Sequence, residues 1–262
     1  MKIRAFLPIV LAMAALARPS LGIIVINPNE RECLAAPTDG SPWNYVARLD
    51  NKFGARATGV YLGNRYVLTA NHVDKDLTAV HLNGQNYTPD SSFQPVALQG
   101  TDLRVLRIKE DPGLAPLRLI GPAESEFKKP CVMIGYGLGK GAPIAGQGWQ
   151  WNDDQSRLKR WATNTTLKGY KTDPQSHITY VQTAFDIAGG PSTGQLANGD
   201  SGCGLFVKYD GVWKLVGIGA DVDSDKMALY DKEPGTQGNQ PDHSYFVAIH
   251  HWIAQINRIR EN

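Results

Sequence analysis

The sequence predicts an all-β protein that ends in one helix, and three features indicate this. Short apolar runs alternate with clusters of Gly, Pro, Asn and Asp, which are strand and turn signals. Helical periodicity is scarce over most of the chain. Only near the end do apolar residues recur at helical spacing, from Ile249 to Ile259, so we predict an amphipathic helix over residues 249–260. Short strands at regular intervals are typical of sandwiches and barrels.

Eight short segments rich in apolar and β-branched residues are predicted to be strands. They are Tyr45–Leu49, Gly59–Leu62, Tyr66–Thr69, Leu103–Ile108, Val132–Ile134, Gly204–Val207, Leu215–Ile218 and Tyr245–Ala248. Residues 138–180 are Gly-rich and polar, so we expect them to form loops outside the core. The segment from Pro122 to Pro130 is typical of a connection between two lobes.

The N-terminus has the pattern of a secretory signal peptide. Lys2 and Arg4 precede an uncharged apolar run from Ala5 to Ala17, and small residues follow it, so we expect residues 1–22 to be removed. The run is shorter than the roughly 18 residues that a spanning helix needs, although a membrane anchor remains the alternative. We therefore expect a secreted or periplasmic protein. Residues 23–41 would be a lead-in, either a short pro-segment or a packed tail.

Charge and cysteine content limit the functions that the chain can have. The 27 Lys and Arg residues nearly balance the 25 Asp and Glu residues, and much of the small excess lies in the predicted signal peptide. We therefore expect neither a nucleic-acid partner nor, once the signal is removed, a membrane partner. The three cysteines are an odd number, so at most one disulfide can form within the chain.

Three side chains in strand contexts suggest nucleophilic catalysis. Ser201 lies between glycines and follows an Asp, His72 ends a strand-like run, and Asp102 precedes an apolar strand. A serine becomes a useful nucleophile when a histidine takes its proton, and a carboxylate behind the histidine fixes the tautomer. The backbone N–H groups of Gly199 and Ser201 could stabilise an oxyanion. Asp74 and Asp76 compete with Asp102 for the carboxylate role, and the strand that follows Asp102 favours it.

These motifs resemble those of the trypsin/chymotrypsin-like serine peptidases. The resemblance lies in Leu68-Thr-Ala-Asn-His72, Thr101-Asp-Leu-Arg-Val-Leu-Arg-Ile108 and Asn198-Gly-Asp-Ser-Gly202, in this order. It extends over roughly residues 42–258. It implies two packed six-stranded antiparallel barrels, the first over residues 42–122 and the second over residues 123–262 with the C-terminal helix. His72 and Asp102 would come from the first barrel and Ser201 from the second.

The resemblance also implies an activity and several further sites. The expected function is that of a monomeric endopeptidase acting on peptide or protein substrates through an acyl-enzyme, with no cofactor. Because the family commonly joins strands near these positions, Cys131 and Cys203 could form a disulfide. Gln195 replaces the Asp of Arg/Lys-selective members, and Val222 replaces a pocket-lining glycine, so we expect no strong Arg or Lys selectivity.

The resemblance does not extend to the N-terminus that cleavage creates in many members. In those proteins the new amine pairs with the Asp before the nucleophile, which is Asp200 here. Ile23-Ile24-Val25 is apolar, but it lies far upstream of Pro42 and lacks the expected glycines. We therefore do not expect this segment to supply the amine that pairs with Asp200.

The sequence leaves alternatives to peptidase activity, and they differ in how well the residues fit them. An α/β-hydrolase needs a glycine where Cys203 stands and alternating helices that the sequence lacks. A non-catalytic peptide-binding module on the same scaffold remains the main alternative. Asp221, Asp223 and Asp225 alternate as in a calcium loop, but the Gly and Glu of that loop are missing, so we expect no metal site.

Overall fold

The computed structural model describes residues 22–27, 30–73 and 76–261. The predicted signal peptide lies outside the described residues, apart from Gly22. The strands, in chain order, are β1 (Ile24–Val25), β2 (Val46–Asn51), β3 (Gly54–Gly63), β4 (Tyr66–Ala70), β5 (Leu77–Leu82), β6 (Gln85–Tyr87), β7 (Val96–Ala97), β8 (Leu103–Arg107), β9 (Pro130–Gly135), β10 (Lys140–Ile144), β11 (Gly148–Trp151), β12 (Arg160–Thr165), β13 (Lys171–Thr172), β14 (Thr179–Ala184), β15 (Gly194–Gln195), β16 (Gly204–Tyr209), β17 (Val212–Val222), β18 (Met227–Leu229) and β19 (His243–Ala248).

Two antiparallel sheets of seven strands each form the body of the protein. The first has the order β6-β5-β2-β3-β4-β8-β7, and the second has the order β12-β9-β16-β17-β19-β14-β13. The all-β, trypsin-like fold class is therefore confirmed. The sheets contain seven strands rather than the expected six, because short strands such as β7 and β13 add to their edges. The division between lobes at residue 122 stays a prediction.

Helical structure is short. The 3-10 helices among the described residues are three to five residues long and lie at Glu30–Leu34, Trp43–Tyr45, Asp154–Ser156, Ile187–Gly189 and Ile249–Trp252. The α-helix α1 (Ile253–Arg260) ends the chain, so the predicted C-terminal helix is confirmed, with its first turn in the tighter 3-10 form. The described part of the chain contains no helix with the length and apolar character to cross a membrane.

The central strands of the first sheet contribute both of their faces to the core, since successive strand residues point to opposite faces and nearly all of them are buried. Strand β4 is buried along its whole length, and strand β8 is buried at four of its five residues. Both lie inside the first sheet, where each face packs against other elements. This dense packing holds the ends of β4 and β8, which carry His72 and Asp102, in fixed positions.

The expectation of loops over residues 138–180 is wrong for part of the segment. Residues 160–165 form β12, which pairs with β9 along six residue pairs in the second sheet. The strand alternates buried and half-buried residues, with Arg160 and Ala162 facing inward. A buried arginine on the inner face hid the apolar alternation that usually indicates a strand.

The lead-in segment packs into the protein. Strand β1 pairs with β15 through Ile24 opposite Gln195, and Ile23, Ile24 and Val25 are fully buried. The buried guanidinium of Arg160 donates to the Gly22 carbonyl. The chain between Val25 and Pro42 is long enough to bring β1 beside the loop that precedes Ser201. That no amine from this segment pairs with Asp200 stays a prediction.

Candidate active site

Two neighbouring strand ends hold His72 and Asp102 together. Strands β4 and β8 pair antiparallel with Ala70 opposite Leu103, so the residues after β4 meet the residues before β8. The Asn71 amide donates to the Asp102 carbonyl at 3.1 Å, which fixes the two loops to each other. The His72 amide donates to Oδ1 of Asp102 at 2.8 Å.

The three predicted side chains form a continuous hydrogen-bonded chain. Nδ1 of His72 lies 2.6 Å from Oδ2 of Asp102, and Nε2 of His72 lies 2.8 Å from Oγ of Ser201. These contacts fit a histidine that is oriented on one side and placed to take a proton on the other. Of the rival carboxylates, Asp74 lies outside the described residues, and it is Asp102 that contacts the histidine.

The surroundings of His72 favour its protonated form. The hydrogen bond that His72 donates to Asp102 is the main cause that raises the pKa of His72 above its usual value, and the negative charges of Asp102 and Asp221 add to the rise. Partial burial and the charge of Arg104 oppose this rise. An imidazolium formed by proton transfer would therefore be stabilised where it is made.

The loop that carries Ser201 is fixed from the first sheet by Thr58. This residue of β3 is fully buried. Its amide donates to the Ser201 carbonyl at 2.9 Å, and its Oγ1 donates to the Gly199 carbonyl at 2.9 Å. The same hydroxyl accepts from the Tyr136 amide at 3.0 Å. One side chain thus ties the nucleophile loop to both halves of the protein.

Asp200 fixes the same loop from within the second half. Its fully buried carboxylate accepts from the Gly137 amide at 2.7 Å and the Ala197 amide at 2.9 Å. Burial raises the pKa of Asp200 to about 6, against the lowering effect of these two bonds and of the charges on Arg160 and Arg157. Its side chain therefore faces backbone amides and internal arginines.

The predicted oxyanion donors are available. No hydrogen bond among the described residues engages the amides of Gly199 or Ser201. Gly199 has a φ of 91°, a left-handed conformation that glycine adopts without strain. Both N–H groups lie in the loop that positions Oγ of Ser201, as an oxyanion hole requires.

A cavity of about 120 Å³ opens beside Ser201. This exceeds the roughly 10–15 Å³ that one water molecule needs, so a substrate group can enter. The lining residues come from the nucleophile loop, β17 and the segments near β11 and β18: Trp151, Leu196, Ala197, Asn198, Ser201, Ala220, Asp221, Val222 and Asp225. Val222 thus lies in the wall, and its contact with substrate stays a prediction.

The structure corrects the position of Gln195. This residue does not line the cavity but is fully buried, because β15 pairs with β1. Its Nε2 lies 3.5 Å from Oδ2 of Asp242, a buried carboxylate that also accepts from the Leu229 amide at 2.9 Å. Gln195 therefore lies in the interior and does not form the floor of this cavity.

The expected disulfide between Cys131 and Cys203 is wrong. Cys131, Cys203 and Cys33 are all free and buried. Cys131 pairs with Val207 in the β9–β16 ladder, about four residues along the strand from Cys203. At about 3.3 Å per residue this separation is near 13 Å, well beyond the roughly 7 Å that a disulfide spans.

The acidic loop after β17 is held by side chains. Oδ2 of Asp223 accepts from the His243 amide at 3.0 Å, and Oδ1 accepts from the Tyr245 hydroxyl at 2.5 Å. Nζ of Lys232 also lies 3.0 Å from Asp223. Within the described ranges, no group of three or more His, Cys, Asp or Glu side chains could hold a metal ion.

Comparison with known families agrees with this geometry. Residues 57–218 match the family model for the trypsin-like peptidase domain. The chain belongs to the trypsin-like peptidase family. The matched range of this trypsin-like peptidase domain contains all three hydrogen-bonded side chains, and membership supports a serine-protease-like function in general. No curated protein matches the chain.

Three residues that support the site of this trypsin-like peptidase domain were not predicted from the sequence. They are Thr58, Arg157 and Arg104. Arg104 is only 5% exposed and donates to the carbonyl and side-chain oxygens of Asn71, beside His72. An arginine within an apolar strand is a detectable signal, since a buried charge needs partners. Thr58 and Arg157 carry no such signal, because a threonine in a strand and an arginine in a polar loop are ordinary.

Proposed function

We propose that the chain is a secreted serine endopeptidase that hydrolyses peptide bonds through Ser201, His72 and Asp102. The proposal rests above all on one observation: Nε2 of His72 lies 2.8 Å from Oγ of Ser201 while its Nδ1 lies 2.6 Å from Asp102. Export rests on the N-terminal sequence pattern alone.

The proposed reaction has two halves. Oγ of Ser201 attacks the scissile carbonyl carbon as Nε2 of His72 takes the hydroxyl proton, and the carbonyl oxygen becomes an oxyanion facing the amides of Gly199 and Ser201. When the carbon–nitrogen bond breaks, His72 gives the proton to the leaving amine, and an acyl-enzyme remains. Water then gives a proton to His72, attacks the ester carbon, and releases the acid as Ser201 recovers its proton.

The contribution of Asp102 is electrostatic and positional. Its carboxylate accepts from both the His72 amide and Nδ1, so it selects the tautomer that leaves Nε2 free to accept the Ser201 proton. Its charge also favours the imidazolium, in agreement with the raised pKa of His72.

A fluorophosphonate probe tests this function without knowledge of the substrate. Wild-type protein should be labelled, Ser201→Ala should lose labelling completely, and His72→Ala should react more slowly by several orders of magnitude. A Ser92→Ala variant serves as the matched control, because Ser92 lies in a turn and hydrogen-bonds to Asp90. Absence of labelling in folded wild-type protein would refute catalysis and favour the peptide-binding alternative.

A further inference from the structure

The side chain of Arg157 contacts the segment just before the nucleophile. Its Nη1 donates to the Asn198 carbonyl and its Nη2 donates to Oδ1 of Asn198, both at 2.8 Å. Arg157 is only 8% exposed. A fork of two charge-assisted hydrogen bonds to one residue is a specific arrangement, since the planar guanidinium restricts the orientation of its partner.

A short, well-anchored segment presents this arginine. Asp153 caps the 3-10 helix Asp154–Ser156 by accepting from the Gln155 amide. Oγ of Ser156 accepts from the Gly139 amide at 2.9 Å, which ties the helix to the neighbouring loop. Nε of Arg157 donates to Asp154 at 2.9 Å, and Nη2 lies 2.9 Å from the same carboxylate oxygen, so a second edge of the guanidinium is held next to the one that faces Asn198. Arg157 is therefore placed rigidly before any substrate binds.

These contacts determine the orientation of one peptide group. The Asn198 carbonyl accepts from Arg157 and also from the Leu138 amide at 2.8 Å. In a trans peptide, the carbonyl oxygen and the following N–H point in opposite directions. Holding the Asn198 oxygen toward Arg157 therefore directs the Gly199 N–H away from Arg157. A side chain at position 199 would collide with the guanidinium.

We propose that Arg157 is a positioning residue that keeps the Gly199 N–H directed at the oxyanion. This inference rests on the proposed peptidase function, because only that function needs an oxyanion donor at Gly199. Rotation of the Asn198–Gly199 peptide would replace the donor with a carbonyl oxygen, which repels an oxyanion. Arg157 opposes this rotation because the rotated carbonyl loses both the guanidinium and the Leu138 amide.

The rate of fluorophosphonate labelling, measured over a range of probe concentrations, separates a positioning role from a merely structural one. It gives the maximal labelling rate, kinact, and the probe concentration that gives half of that rate, KI. Arg157→Ala should lower kinact by roughly 10- to 100-fold, within or below the loss seen on removing one oxyanion donor. KI should stay unchanged, because probe binding before reaction does not need the N–H. The pH at which labelling is half-maximal should also stay unchanged, because His72 and Asp102 keep their contacts. Arg107→Ala is the matched control: Arg107 bonds Asp90 and makes no contact with the loop.

A merely structural role would give a different pattern. Loss of fold would reduce the fraction of protein that is labelled, while the folded remainder would react with the wild-type kinact, and that outcome would overturn the proposal. Wild-type kinact in folded Arg157→Ala would overturn it as well. If Arg157→Ala does not fold, Arg157→Lys provides the test. A lysine keeps the charge but cannot form the two parallel hydrogen bonds to Asn198, so kinact should still fall. A wild-type kinact in Arg157→Lys would refute the positioning role. Failure of wild-type labelling would instead refute the peptidase function itself.

Discussion

Replacement of Thr58 by valine tests whether one buried hydroxyl holds the nucleophile loop. The change keeps the branched shape of the side chain and replaces the hydroxyl, whose Oγ1 donates to the Gly199 carbonyl and accepts from the Tyr136 amide, with a methyl group. Valine offers neither bond. Two backbone groups would then lack partners in a position where the residue is fully buried.

The expected cost follows from these two groups. An unsatisfied buried polar group costs about 1–3 kcal/mol, and the Tyr136 amide is only partly buried, so we expect a total of roughly 2–4 kcal/mol. For a chain of this size, that corresponds to a thermal midpoint lower by roughly 4–16 °C. Folded Thr58→Val should also react more slowly with a fluorophosphonate, because the Gly199 carbonyl is no longer held.

The assay is urea unfolding followed by fluorescence, with Thr58→Ser as the matched control. Serine keeps the hydroxyl and loses one methyl group, which should cost about 1 kcal/mol. If Thr58→Val proves as stable as Thr58→Ser and labels at the wild-type rate, the hydroxyl does not hold the loop and the reasoning is refuted.

Two further predictions concern titration and thiols. Because the hydrogen bond to Asp102 and the charge of Asp221 raise the pKa of His72, Asp221→Asn should lower that pKa and move the acid limb of the labelling profile to lower pH. An unchanged or raised acid limb would contradict this. Because burial raises the pKa of Cys131 to about 12 and that of Cys203 well above its usual value, Ellman's reagent should find no rapidly reacting thiol at these positions in native protein. It should find all three cysteines after unfolding without reductant, and a smaller number would indicate a disulfide.

Much of the fold and the three central side chains could be predicted because local signals indicate them. Turn residues and apolar runs mark strands such as Tyr66–Ala70, and the residues that flank Ser201 are small for reasons of local geometry. His72 and Asp102 follow or precede strands whose apolar character is clear from the sequence. Where one side chain and its immediate neighbours suffice, the sequence indicates the local structure.

The remaining features depend on contacts between distant parts of the chain. Strand β12 begins with the buried Arg160, whose guanidinium reaches the Gly22 carbonyl, so its inner face does not have an apolar pattern. Gln195 is buried because β1 pairs with its strand, and the sequence does not indicate that pairing. The separation of Cys131 from Cys203 depends on strand register, and no local signal fixes that register.

Thr58 and Arg157 hold the nucleophile loop from opposite halves of the molecule, and this affects when the loop takes its shape during folding. Thr58 belongs to β3 of the first sheet, and Arg157 lies three residues before the start of β12 in the second. A nascent or half-folded chain lacks one of the two supports, so the loop acquires its working shape only after both sheets have formed and docked. On the proposed function, the chain would therefore gain peptidase activity only once both sheets are in place.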